Sequence, residues 1–164
     1  MSEVNHLFMQ VDGIKGSCSD KDYKEWIVIE NFSIQSMNES NIETASGQMK
    51  GSNPYFSPIS ISKGIDATST SFFTSVPKGT NIKKIVFVHT EVINEKRSES
   101  MRITIENCVI CSHNIDVGNT GRTGSESLVF AYGTIKYETN MAKSDGKIGK
   151  QGPVGWDRVA NTSL

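Results

Sequence analysis

The apolar residues of this chain fall in runs of strand length, alternating or continuous, and seldom recur at helical spacing. Strands are therefore predicted over His6–Val11, Trp26–Gln35, Phe56–Lys63, Ile82–Ile93, Met101–Asn114 and Glu126–Glu138. Turn-forming residues stand between them: Asp12-Gly13, the polar Asn94–Arg97, and the run Gly118, Gly121, Gly124. Strands joined in this way build an antiparallel barrel or sandwich. One segment departs from the pattern. Asp66 is an N-cap type of residue, and the stretch from it to Ser75 stops just short of Pro77 and Gly79, which predicts a single short helix. Its Ser and Thr content favours a helix poorly, so packing of Ile65, Phe72, Phe73 and Val76 is expected to hold it.

Two further patterns bear on function. Ser36–Pro54 is polar, rich in Ser, Asn, Gly and Thr, and too long for a turn. It reads as a long extended loop of the kind that binds a partner. Several strands also carry apolar residues on both faces. Over Ile82–Ile93 one face holds Ile85, Phe87 and Ile93, and the other Ile82, Val86, Val88 and Val92. In the last predicted strand Leu128, Phe130 and Tyr132 oppose Val129, Ala131, Ile135 and Tyr137. A sheet with one face in water alternates more cleanly. The second face calls for cover, in part from the helix and in part from a neighbouring subunit. On that ground Val86, Val88, Phe130 and Tyr132 are the candidates for a subunit interface.

A length of 164 residues suits one domain, 1–164. Lys+Arg 17 against Asp+Glu 18 leaves a net charge of −1, which argues against a dedicated nucleic-acid partner. Lys143, Lys147, Lys150 and Arg158 form a mild basic excess that reads as a solvated tail. Glu3 replaces a positive leader, and Leu7–Met9 is too short an apolar stretch for a signal peptide or membrane span, so synthesis ending in the cytoplasm and no membrane insertion are expected. Three cysteines, an odd number, suggest no disulfide framework.

The candidate chemistry is thin. Cys108-x-x-Cys111 with His113 has zinc-ligand types, but residues three apart on a strand face opposite ways unless a bulge intervenes, so two buried strand thiols are the expectation. Cys18 lacks the following amphipathic helix that would activate a thiol. Gly118–Gly124 and Asp145–Gly152 lack the Lys-Ser/Thr ending and helix of a phosphate loop, and read as flexible connections. Asp20 and Asp22 lack the glycine and terminal glutamate of a calcium loop. His6, His89 and His113 have no carboxylate at useful spacing. Neither an enzyme nor a cofactor site is expected.

Several segments in order resemble one family. They are Leu7–Gly16 with its Asp12-Gly-Ile-Lys15-Gly16 turn, the strand ending Phe32-Ser33, Phe56–Lys63 followed by Ile65–Ser69, Gly79, Met101–Ser112, Thr123–Phe130, and Asp145-Gly to Gly152-Pro-Val-Gly-Trp156. Nearly the whole chain resembles the haemolysin-coregulated proteins, Hcp, tube subunits of bacterial type VI secretion systems. Departures occur at Thr70 or Ser71, where the family commonly has Pro, at the shortened 152–156 segment, and at Glu30 and Asn31.

The resemblance implies a small antiparallel β-barrel with one short helix, forming hexameric rings that stack into a hollow tube. It implies no enzymatic activity. The tube carries a spike protein at its tip, lies within a contractile sheath, holds effector proteins in its lumen, and leaves the cell without a cleaved signal peptide. In that frame the loop, through Asn38, Asn41, Thr44, Gln48 and Lys50, is assigned to ring stacking. The shared polar face of Asn31, Ser33 and Gln35 is assigned to the lumen, with a solvated sheet edge as the equal alternative for any one of them. The alternative is a monomeric β-barrel that binds a small ligand in its interior.

Overall fold

The computed structural model describes residues 4–42 and 45–164, with backbone only at 41, 42, 49, 50 and 52. Its strands are β1 Leu7–Val11, β2 Ile27–Val28, β3 Asn31–Ser33, β4 Ser36–Ile42, β5 Met49–Phe56 and β6 Ile59–Gly64. After the helix α1 Ser69–Lys78 come β7 Asn81–Ile93, β8 Lys96–Asp116, β9 Ser125–Ala142, β10 Ile148–Asp157 and β11 Thr162–Ser163. The main sheet runs β11-β10-β9-β8-β7-β1-β2, all antiparallel. β9 divides its length, pairing Ser125–Phe130 with β6 and Thr134–Ala142 with β10.

Closure comes from a short piece of chain. The Ile29 N–H donates to Leu7 O at 3.1 Å on β1, and the next N–H, of Glu30, donates to Ser62 O at 2.8 Å on β6. β3 then pairs with β6. The path β1-β7-β8-β9-β6-β3 thus returns to its start as a barrel, the architecture the pattern predicted. The segment 26–35, expected as one strand, is instead two short ones because it must change partners between Val28 and Asn31.

A kink crosses the three long strands. Asn107 sits in the left-handed region at φ 55, a conformation Asn tolerates better than most residues. Around it the inward-facing positions step by three instead of two: Ile82 to Ile85, Ile105 to Cys108, Tyr132 to Ile135. Gly133 lies alongside, where a Cβ would come within 3.1 Å of the Asn107 side chain. The step places Ile82 on the core face with Ile85 and Phe87, which removes one member of the apparent second apolar face.

Val86 and Val88 on that second face are covered from within the chain, whereas Val92 stays exposed. Phe8 and Tyr23 stack at 4.3 Å over Val86 and Val88, and the Arg97 guanidinium lies 5.1 and 5.0 Å from their ring centres. Arg97 is in turn held by Asp20 at 2.6 Å. Val86, Val88, Phe130 and Tyr132 are all buried inside the protomer. They therefore present no surface to a neighbour, and their assignment to a subunit interface is corrected. On the outer side of β8 and β9, Arg102, Thr104, Lys136 and Glu138 stand in register, with Arg102 bound to Glu99 at 2.8 Å and Lys150 to Glu138 at 3.2 Å. That wall is polar, so greasy strand faces do not make the case for association.

Helix α1 begins three residues later than expected and runs through Pro77 in its last turn to Gly79, whose φ of 58 closes it. Pro77 there forgoes only one backbone bond. Phe72 is fully buried and Val76 packs on the core four residues on, whereas Phe73 is mostly exposed and contributes only an edge contact to His113. Ser36–Pro54 is a β-hairpin rather than an extended loop, and Asp145–Gly152 leads into β10 rather than being only a flexible connection. Asn107→Val is expected to lower the urea-derived unfolding free energy by about 1–2 kcal/mol more than Asn107→Gly, because a β-branched residue resists the left-handed region.

Candidate functional site

The hairpin arm is built from β4 and β5, which form a two-stranded sheet of their own. Met37 faces Tyr55 and Asn38 faces Pro54, with a register slip between Asn38 and Ser40. Met37 is 47% and Tyr55 51% exposed, so this cross-strand apolar pair has no second layer above it. A lone two-stranded hairpin is marginal in water. Of the residues assigned to stacking, Asn38 is exposed on β4 and Gln48 is exposed just before β5. Asn41 and Lys50 are backbone partners, and Thr44 lies outside the described residues.

The base of the arm is clamped to the barrel. The Ser57 N–H donates to Gln35 O at 2.7 Å, the Gln35 N–H to Ser57 Oγ at 2.8 Å, and the Tyr132 hydroxyl to Ser57 O at 2.8 Å. Burial pushes the Tyr132 hydroxyl up to about 12, which keeps its proton in place as a donor. Phe56 stacks on Trp156 at 6.3 Å. Between this base and β8–β10 opens an apolar groove of about 490 Å³, lined by Phe32, Ile34, Phe56, Tyr137, Val154 and Trp156 among others. Phe32 and Ile34 turn inward while Asn31, Ser33 and Gln35 between them are exposed, so the structure brings those three onto one polar face.

The opposite end of the barrel hides a polar cluster that the sequence did not reveal. Lys63 and Glu126 are register partners on β6 and β9, their side chains fully buried and joined in an ion pair. Lys63 also donates to Gly64 O and reaches Asp66 Oδ1, both at 2.9 Å. Glu126 accepts from Ser69 Oγ at 2.7 Å, and its second oxygen lies 2.7 Å from His113 Nε2. Ser69 opens α1, so the cluster binds the helix start to β6, β8 and β9. His113 has its carboxylate after all. Burial alone would raise the Glu126 carboxyl, but hydrogen bonds from Lys63, Ser69 and His113 outweigh it and hold it below the usual range. For Asp66, burial is likewise outweighed by Thr68 and Lys63.

The cysteines do not converge. Cys108 is buried, its thiol pushed up to about 12 by burial and the Glu106 charge, whereas Cys111 is exposed at the bulge between Ile110 and Ser112. The expectation of two buried strand thiols is corrected for Cys111, which follows the inward Ile110 and so faces outward by strand alternation. Cys18 packs at the edge of the Phe8–Tyr23 cluster. Among the described residues, no three His, Cys, Asp or Glu side chains are placed to hold a metal ion. No helix among them is long and apolar enough to cross a membrane.

An antiparallel barrel with one ion-pinned helix at one end and a projecting arm at the other defines a small single-helix β-barrel protein. Residues 8–138 match the family described as "Type VI secretion system effector, Hcp", and the chain belongs to that Hcp family. No curated protein matches it. Among solved structures it is similar to one described as a type six secretion system protein, with TM-score 0.89 and 21% identity over 98% of this chain and 100% of the other. It is also similar to Hcp1 from Salmonella typhimurium (TM-score 0.76, 19% identity, 97% and 98% covered). A type VI secretion system effector from Yersinia pestis gives TM-score 0.70 at 16% identity, with 92% and 98% covered.

The cluster predicts an acid limit. Glu126 and Asp66 have folded values below their ordinary 4.5 and 3.8, so the stability they contribute is present above about pH 4.5 and is lost as pH falls through the depressed values. Glu126→Gln, which strips Lys63 of its main counterion, is expected to cost about 3 kcal/mol at pH 7 and to flatten the loss of stability as pH falls below about 4.5. Urea unfolding across that pH range measures both.

Proposed function

We propose that this chain is a tube subunit of a type VI secretion system, closing with copies of itself into hexameric rings that stack into a hollow tube. Family membership supports the ring. The observation on this chain that carries the reading is the arm, two strands that pair with each other and bear the unlayered Met37–Tyr55 pair. Such an arm gains its second layer only from another molecule.

The arm, with Asn38, Asn41, Thr44, Gln48 and Lys50, makes the contact between rings. Asn31, Ser33 and Gln35 face the lumen, where effector proteins travel. The spike protein caps the tube, the sheath surrounds it and expels it, and export needs no cleaved signal peptide. The role is structural and calls on no cofactor. With Val86, Val88, Phe130 and Tyr132 buried, the surface left for a ring neighbour is the groove face of β9 and β10, where Tyr137, Met141 and Val154 are exposed. The monomeric ligand-binding alternative finds less support, because Met9, Phe72, Phe87, Ile105 and Phe130 occupy the barrel interior.

Size-exclusion chromatography with light scattering is expected to return six times the 18.0 kDa chain mass. A stable monomer refutes the reading. Tyr137→Asp with Val154→Asp is expected to break the ring to monomers. Deleting 41–52 is expected to leave the ring mass unchanged while electron microscopy shows single rings in place of stacks, and loss of the ring would refute this division of labour.

A further inference from the structure

We infer that the arm of one copy docks on an exposed apolar strip, Phe73, Ile115 and Val117, at the helix end of the next copy. The inference rests on the stacking reading and names the surface that receives the arm.

The three residues lie at the same end of the barrel. Phe73 on α1 meets His113 edge-on at 6.2 Å, Ile115 follows two residues along the same face of β8, and Val117 continues past the strand end. Val117 Cγ2 and Ile65 Cδ1 converge at Gly124, where a Cβ would lie 2.6 and 3.0 Å from them. The three side chains are 60%, 51% and 62% exposed. Their footing is rigid, since His113 is held by Glu126 and Glu126 holds Ser69 at the helix start. A preordered surface loses little entropy when a partner arrives.

The register of β9 shows which partner can reach it. β9 begins at the helix end, with Ser125 paired to Gly64 and to Asp116, and reaches the arm base near Ile135 and Tyr137, where Trp156 meets Phe56. At about 3.3 Å per residue, Glu126 and Tyr137 stand roughly 35 Å apart along the strand. β3 runs from Ser62 towards Ser60, away from the helix end, and delivers the chain to the arm at the other. An arm that filled the groove at its own end would serve a neighbour standing alongside. An arm that reaches the Phe73 strip joins unlike ends, a heterologous contact that repeats without limit, as a tube requires.

The chemistry of the two surfaces agrees. Met37, Tyr55, Glu39 and Asn53 line one shallow hollow of the arm. The flexible Met37 thioether suits an aromatic such as Phe73. Glu39 would meet the 118–124 loop, which carries Arg122. Rim charges of this kind set orientation more than affinity.

Disulfide trapping tests the contact in a Cys18→Ser, Cys111→Ser background, which leaves only the buried Cys108. Met37→Cys combined with Ile115→Cys is expected to give, on oxidation of stacked material, covalent species extending beyond six chains, and Met37→Cys alone none. Tyr55→Cys with Val154→Cys probes the groove, and any cross-link from it that stops at six or fewer chains overturns the inference. Phe73→Ser with Ile115→Ser, both exposed and so safe for folding, is expected to leave the ring mass intact and raise the concentration needed for stacking at least tenfold. Stacking that persists in that variant overturns the inference while sparing the ring. A protein that forms no rings, or rings that never stack, overturns the underlying reading and this inference with it.

Discussion

The Glu126 carboxylate is the point at which three strands and the helix meet. It receives Lys63 from β6, His113 from β8 and Ser69 from α1, and it does so with its side chain fully buried. Taking these groups out of water is costly, and their mutual attraction repays little of that beyond what an apolar packing would give. What the cluster supplies is direction. Lys63 is satisfied only when β6 lies in register on β9, and Ser69 only when α1 starts above that register. Phe72 could pack on an apolar core in several ways, but the ionic anchor admits one. The helix end of the barrel is consequently the stiff end, and the surface above it inherits that stiffness.

The opposite end is shaped by backbone constraints instead of charge. The left-handed Asn107 and the adjacent Gly133 shift three strands by one inward position, so the long β8 and β9 bend as they continue beyond the closed barrel. Gly155 permits the same close approach in β10, where a Cβ would come within 2.4 Å of Ile135 O. The bend opens the groove that Phe32, Phe56 and Trp156 line, and from its rim the arm departs. Two unlike ends on one barrel follow directly, and a polar axis is the minimum a head-to-tail assembly needs.

The barrel strands could be read from the chain because each carries an apolar face over most of its length, and the helix because Asp66 precedes it and Gly79 closes it. Other parts could not, for identifiable reasons. The arm strands are polar on most positions, and of their described apolar residues Met37 and Tyr55 stay exposed, so the alternation that betrays a strand is missing. β10 carries Gly149, Gly152, Pro153 and Gly155, which read as breakers although Gly155 is demanded by a close strand contact. Lys63 and Glu126 are 63 residues apart, and only strand register brings them opposite one another. The supposed second apolar face arose from assuming a regular period through Ile82–Ile93, while the cover over Val86 and Val88 comes from Phe8 and Tyr23, whose approach depends on the fold of the 18–28 loop. The family resemblance rested on motif order and stands, although the physical argument offered beside it, greasy outer walls, does not.

That failure alters how association must work. A barrel whose wall is ion-paired and polar cannot seal to its neighbours over whole faces, so contact is confined to local patches. A Met and a Tyr already half exposed would withdraw on the order of 200 Å² from water, about 5 kcal/mol at 25 cal/mol per Å². Association alone costs at least about 4 kcal/mol in lost motion, so a single arm holds weakly. On the proposed ring the arms would be presented together, and once one engaged, the others would bind at high effective concentration. Weak single contacts made in parallel would give the proposed stack stability as a whole while each unit could still let go readily.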